Sequence, residues 1–132
     1  MNTKRFWLAS VTVFIVLILL GWTINTVTTP MYQSTMSLWR SSAEQAHLLP
    51  WIFLSVALFS IFFCLIFAKG FGSSGVVGGI SFGFFVGLMM SCTPFSLYTY
   101  MPISLNLPAL WAITGIIESI VAGIIVGIIY KP

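Results

Sequence analysis

Four stretches of this chain run almost without charge: roughly Phe6 to Ile24, Trp51 to Phe67, Ser74 to Thr93 and Ala109 to Ile129. Each is close to the 20 apolar residues that a helix needs to cross a bilayer core of about 30 Å. Backbone N–H and C=O groups in lipid must be satisfied within their own segment, so each run reads as a helix. The runs are continuous and do not alternate in period two, which argues against the strands of a membrane barrel. Composition supports the same conclusion. Hydrophobic residues make up 59% of the 132 and charged residues 5%, against roughly 25% charged in a soluble domain. So few charges cannot cover a water-facing surface. The fold class predicted is all-α, a polytopic membrane protein whose four transmembrane helices form a single domain over residues 1–132.

Charge sets an orientation. Lys4, Arg5, Lys69 and Lys131 fall on one side of the four spans and only Arg40 on the other. The positive-inside rule then predicts both ends of the chain in the cytoplasm, in a cell inner (plasma) membrane. The sequence pI of about 9.1 is therefore a topology signal. Five scattered basic residues make no patch for nucleic acid, and no nucleic-acid partner is expected. Lys4 and Arg5 could also open a signal peptide. The apolar run that follows is too long for that and lacks a small-x-small cleavage site before Pro30, so it reads as a retained helix.

The first outer loop, roughly Val27 to Pro50, has a pattern of its own. Thr29 followed by Pro30 fits a helix start, with a hydroxyl cap and proline in the first turn. Tyr32, Met36, Trp39, Ala43 and Ala46 then recur at helical spacing, with Arg40 and Glu44 four apart. This predicts a short interfacial helix lying on the outer leaflet. In the second outer loop, Tyr98 and Tyr100 occupy positions suited to an interfacial aromatic belt.

Small residues repeat every four positions in the last two spans. The third carries Gly75, Gly79, Gly83 and Gly87, and the fourth Gly115, Ser119, Gly123 and Gly127. Such a stripe lets helix backbones approach closely in lipid. In an antiparallel hairpin, facing residues have position numbers with a constant sum. Gly75 with Gly127, Gly79 with Gly123, Gly83 with Ser119 and Gly87 with Gly115 share one sum, and Pro94 with Pro108 gives it again. The third and fourth spans are therefore predicted to form a glycine-zipper hairpin turning near Met101. A ladder facing the same ladder on another protomer is the alternative. The two ladders also align in parallel, as inverted repeats do in transporters, but one packing rule can write both patterns and the first two spans share no such relation.

Glu118, one of two acidic residues in the chain, lies in the middle of the fourth span. A central acid costs roughly 3 kcal/mol on insertion scales, which the surrounding Leu, Ile and Val offset. Intramembrane acids are candidates for function. Residues adjacent on a helix are about 100° apart, so Glu118 points to the flank of the stripe holding Ser119. Thr114 shares its face, and Ser60 in the second span is predicted at a similar depth. Glu118, Ser60 and Thr114 are thus the candidate proton, cation or polar-glue group.

Other chemistry is thin. His47, Cys92 and the methionines near the outer side show no ligand spacing, so no metal or cofactor is expected. Cys64 and Cys92 lie toward opposite ends of their spans and are not expected to form a disulfide. There is no P-loop, nucleophile elbow or paired carboxylate, and no enzyme is expected.

The plan resembles that of small, uncharacterised four-span bacterial inner-membrane proteins, an architectural likeness that carries no site residues. The small multidrug resistance exporters are similar in size and span number, and carry an essential glutamate in their first helix. Here the first span has no acid and the glutamate lies in the fourth. The function expected is a non-enzymatic accessory subunit or oligomeric packing module in a lipid bilayer, partnered by its own copies or a larger membrane complex. The alternative is a small proton- or cation-coupled transporter using Glu118.

Overall fold

A computed structural model describes residues 2–131. Four α-helices follow in chain order: α1 (Thr3–Thr28), α2 (Ser42–Gly70), α3 (Gly75–Tyr98) and α4 (Asn106–Ile129). A 3-10 helix, η1 (Thr29–Leu38), joins the first two. All four spans are long and apolar enough to cross a membrane, and none of the described residues lies in a strand. The all-α, four-helix class is as the apolar runs dictate.

The helices are longer than the apolar runs, and capping explains where one of them starts. Ser41 and Glu44 form a reciprocal cap. The Glu44 carboxylate accepts from Ser41 N at 3.0 Å and Oγ at 2.9 Å, and Glu44 N donates to Ser41 Oγ at 3.4 Å. Two orphan donors at the helix start are satisfied at once, so α2 begins well before Trp51 and carries Pro50 inside it. Its 29 residues extend about 43 Å at 1.5 Å each, and its first turns overhang the apolar run.

The expected short helix of the outer loop is present as η1, with Pro30 in its first turn, but it is 3-10 in type and ends at Leu38. Thr29 is the first residue of η1 and not its cap; its hydroxyl donates back to Asn25 O at 2.8 Å. Tyr32 and Met36 lie in η1, Trp39 is extended, and Ala43 and Ala46 belong to α2. The helical spacing is real, but the chain breaks it because the Ser41 cap outcompetes continuation through residues 39–41. Arg40 and Glu44 therefore do not share a helix, and Glu44 turns to Ser41.

The α3–α4 hairpin turns through residues 99–105 and forms the most extensive helix contact. On one side α1 packs against α4 and on the other against α2. Helix α2 reaches α3 through aromatic side chains, with the rings of Phe63 and Phe67 lying 4.7 Å and 5.7 Å from that of Phe82. The buried cluster gathers Phe6, Val13, Phe67, Phe82, Val126 and Tyr130. These residues come from the starts of α1 and α3 and the ends of α2 and α4, so the core sits at one end of the bundle. Gly72, in the α2–α3 turn, leaves room for that core: a Cβ there would stand 2.8 Å from Tyr130 Cε1.

At the other end α3, α4 and η1 stay together and α2 is exposed. Leu49, Pro50, Trp51 and Ile52 are all exposed, and four successive residues at about 100° cover a full turn. This stretch of α2 is exposed around its circumference, more at Trp51 than at Leu49. The bundle is closed at the end carrying Lys4, Lys69 and Lys131, and open at the end carrying Arg40.

Candidate functional site

Glycine brings α3 and α4 together, but not along the whole hairpin. A Cβ at Gly79 would collide with the carbonyl oxygen of Gly123, and one at Gly123 with that of Gly79. A Cβ at Gly83 would strike the Ser119 carbonyl and stand 2.9 Å from Ile120 Cα, and one at Gly127 would stand 2.6 Å from Gly75 O. Backbone meets backbone at these three levels. Gly87 and Gly115 behave differently. A Cβ at Gly87 would meet Ile116 Cα at 2.7 Å, whereas one at Gly115 has nothing within 4 Å. The expected Gly87–Gly115 pairing is therefore not formed. The helices stay in contact at this level, but Ile116 and not Gly115 now faces Gly87, so the α4 stripe has turned off the seam by one residue. Gly75 also has an open Cβ position but adopts φ 59°, a left-handed conformation that glycine takes without steric cost. Its role is to start α3 after the turn.

Higher on the hairpin a hydrogen bond takes over. Ser91 Oγ donates to Gly87 O at 2.7 Å and lies within 3.3 Å of Ala112 O on α4.

The three candidate polar groups do not converge. Ser60 is buried, and its hydroxyl donates to Val56 O at 2.7 Å. Thr114 donates to Leu110 O at 2.9 Å. Each hydroxyl is satisfied by the preceding turn of its own helix, as serine and threonine often are. Glu118 is half-buried and points at α1: its Oε1 lies 3.6 Å from where a Cβ on Gly21 would stand. Among the described residues no hydrogen bond reaches the carboxyl. The expected Ser60–Glu118 pairing is thus replaced by an approach to Gly21. The reason is the packing order: α1, not α2, covers the flank of α4 to which Glu118 points. Gly21 is the residue the sequence did not single out. A lone glycine in an apolar helix has no ladder partner to give it meaning.

A second constellation lies toward the open end. Trp111 Nε1 on α4 donates to Tyr32 OH on η1 at 2.7 Å. The Trp39 ring stands edge-on to Tyr32 at 5.6 Å and to Trp111 at 6.3 Å, and its Nε1 donates to the buried Thr35 Oγ1 at 3.1 Å. These aromatics pin η1 onto α4. Their pairing was not legible because Tyr32 and Trp111 are 79 residues apart. Tyr98 and Tyr100 are exposed nearby. Cys64 is buried and Cys92 exposed, both free. Among the described residues, no three His, Cys, Asp or Glu side chains are placed to hold a metal ion.

The site therefore combines a backbone-tight α3–α4 seam, a mid-span carboxyl beside a glycine gap, and an aromatic clamp at the open end. No protein-family model, curated protein or solved structure matches this chain.

Proposed function

We propose that this protein is a non-enzymatic helix-packing module, a subunit of a membrane complex or of a homo-oligomer, with Glu118 as its polar contact to a partner. One observation carries the reading. Glu118 sits mid-span, half-buried, with no hydrogen-bond partner among the described residues of its own chain. A carboxyl in that position costs roughly 3 kcal/mol to insert, and a bond to another chain would offset part of it. The exposed turn from Leu49 to Ile52 supports the same reading, since a partner helix finds free apolar surface at Trp51 and Ile52.

The test compares two variants during purification in mild detergent. Interhelical hydrogen bonds in membranes average about 0.6 kcal/mol and reach about 1.7. Glu118→Ala should therefore lower partner or self-association about threefold to twentyfold. Glu118→Gln should keep most of it, because an amide still donates and accepts. If alanine associates as well as wild type, Glu118 is not the contact.

Proton- or cation-coupled transport is the second reading. The observation in its favour is that the carboxyl stays half-open beside Gly21. Coupling needs a titrating group, so glutamine would then be as damaging as alanine.

Orientation is part of the proposal: an inner membrane, both ends cytoplasmic. Ser42 and Ser73 are exposed at opposite ends of the bundle, and Ser42 leaves the Ser41 cap intact. In a chain with Cys92 replaced by serine, Ser42→Cys should react with an impermeant thiol reagent on intact cells and Ser73→Cys should not. The opposite labelling would invert the molecule.

A further inference from the structure

The closed end gathers nearly all the positive charge. Lys4 and Arg5 lie in the first turn of α1, Lys69 in the last turn of α2, and Lys131 just beyond α4. Their separation in sequence says little about their separation in space, but the buried cluster does. Phe6 adjoins Arg5, Phe67 lies two residues before Lys69, and Tyr130 adjoins Lys131. These three aromatics belong to one core, with the Phe67 and Tyr130 rings 6.5 Å apart. The three helix ends that carry the cations are therefore held side by side, and all four basic side chains are exposed.

Among the described residues no acidic side chain balances them there. The chain has two acidic residues; Glu44 lies at the open end and Glu118 at mid-span. The starts of α1 and α3 contribute amide donors and the ends of α2 and α4 contribute carbonyls, so the side chains decide the sign. Two large apolar side chains stay exposed beside the cations. Trp7 follows Phe6 on α1, and Phe71 follows α2. Tryptophan at the end of a membrane helix settles at headgroup level, and lysine and arginine extend toward the headgroups while their stems lie along apolar surface.

We infer that this rim is a docking surface for anionic phospholipid headgroups, held by Lys4, Arg5, Lys69 and Lys131, with Trp7 and Phe71 against the acyl chains. Positive charge alone would also suit an acidic soluble protein. The exposed Trp7 and Phe71 favour the lipid, because they place the cations at the level of the phosphates.

The test uses the full chain reconstituted with equal amounts of phosphatidylglycerol and phosphatidylcholine, with retained lipid counted by native mass spectrometry. A basic residue near an anionic surface changes binding by about fivefold. Wild type should retain phosphatidylglycerol at least tenfold over phosphatidylcholine, and added salt should reduce the preference as screening shortens. The chain with all four residues changed to glutamine, with helix content checked by circular dichroism, should retain both lipids equally. If it does not fold, Lys69→Gln and Lys131→Gln singly should each lower the preference about fivefold. Arg40→Gln, at the open end, should change nothing. Equal retention by wild type, an Arg40→Gln effect as large as the others, or stronger binding of poly-glutamate than of phosphatidylglycerol would overturn the assignment.

Discussion

Gly79→Ala will loosen the α3–α4 hairpin severely, while Gly115→Ala will leave it intact or strengthen it. The two glycines hold rungs of matching four-residue repeats on α3 and α4, so the pattern alone predicts equal effects. The structure separates them. A methyl group at Gly79 points into the Gly123 carbonyl, and at Gly115 into open space. The atoms opposite Gly79 are backbone, so no rotamer change relieves the clash, and the helices must move apart. Overpacking of this kind costs about 3 kcal/mol. At Gly115 the substitution gains up to about 1 kcal/mol of helix propensity. That gain applies to both variants, so they should differ by the overpacking cost, about 3 kcal/mol, roughly 150-fold in the folding equilibrium. Reversible unfolding in mixed micelles would measure it. Gly83→Ala should behave like Gly79→Ala, since its methyl group points at the Ser119 carbonyl. Similar stability for Gly79→Ala and Gly115→Ala would mean that the helices do not approach at Gly79.

The second large effect is at the closed end. Phe67→Ala should destabilise the bundle strongly and Phe62→Ala hardly at all. Phe67 is fully buried among Phe82, Phe71 and Tyr130, with ring centroids at 5.7, 6.3 and 6.5 Å. Phe62 is 56% exposed on the same helix. In a soluble core, Phe→Ala costs about 3–5 kcal/mol from lost transfer energy and the cavity together. A ring released from this core enters lipid, so most of the transfer part is absent. The cavity and lost contacts remain, at about 2 kcal/mol. The same unfolding measurement applies. Equal effects at Phe62 and Phe67 would mean that the helices are not gathered at that end.

Much of the hairpin was legible because glycine is informative in lipid. A four-residue repeat of small residues marks a face, and two repeats with a constant position sum mark a register. Gly79 with Gly123 and Gly83 with Ser119 lie where that register puts them. The one-residue shift that puts Ile116 on the seam and leaves Gly115 open was not legible. It depends on the bulk of Ile116 and on how the helices cross, and neither is written in a spacing. In the outer loop the start of the short helix at Thr29 was legible and its end was not. Tyr32, Met36, Trp39, Ala43 and Ala46 keep helical spacing, but a local cap at Ser41 cuts through it. The pair Ser41 and Glu44 was present in the sequence as a helix-start signal.

Glu118 shows the division most plainly. Its depth, and its direction relative to the stripe, follow from helix geometry alone. Its neighbour does not. In water, an apolar face announces which side of a helix turns toward the core, because burial is rewarded. In lipid the surroundings are as apolar as the core, so nothing in the hydrophobic pattern says whether α1 or α2 will cover a given flank of α4. Shape decides. The sequence by itself determined the helix class, the four spans and the α3–α4 register, since length, backbone satisfaction and small residues act within one or two segments. Only the tertiary structure decided that α1 lies against Glu118 at Gly21, that the bundle closes around Phe67 and Tyr130, and that it opens above Ile52. Those outcomes depend on how large side chains from distant segments fit together.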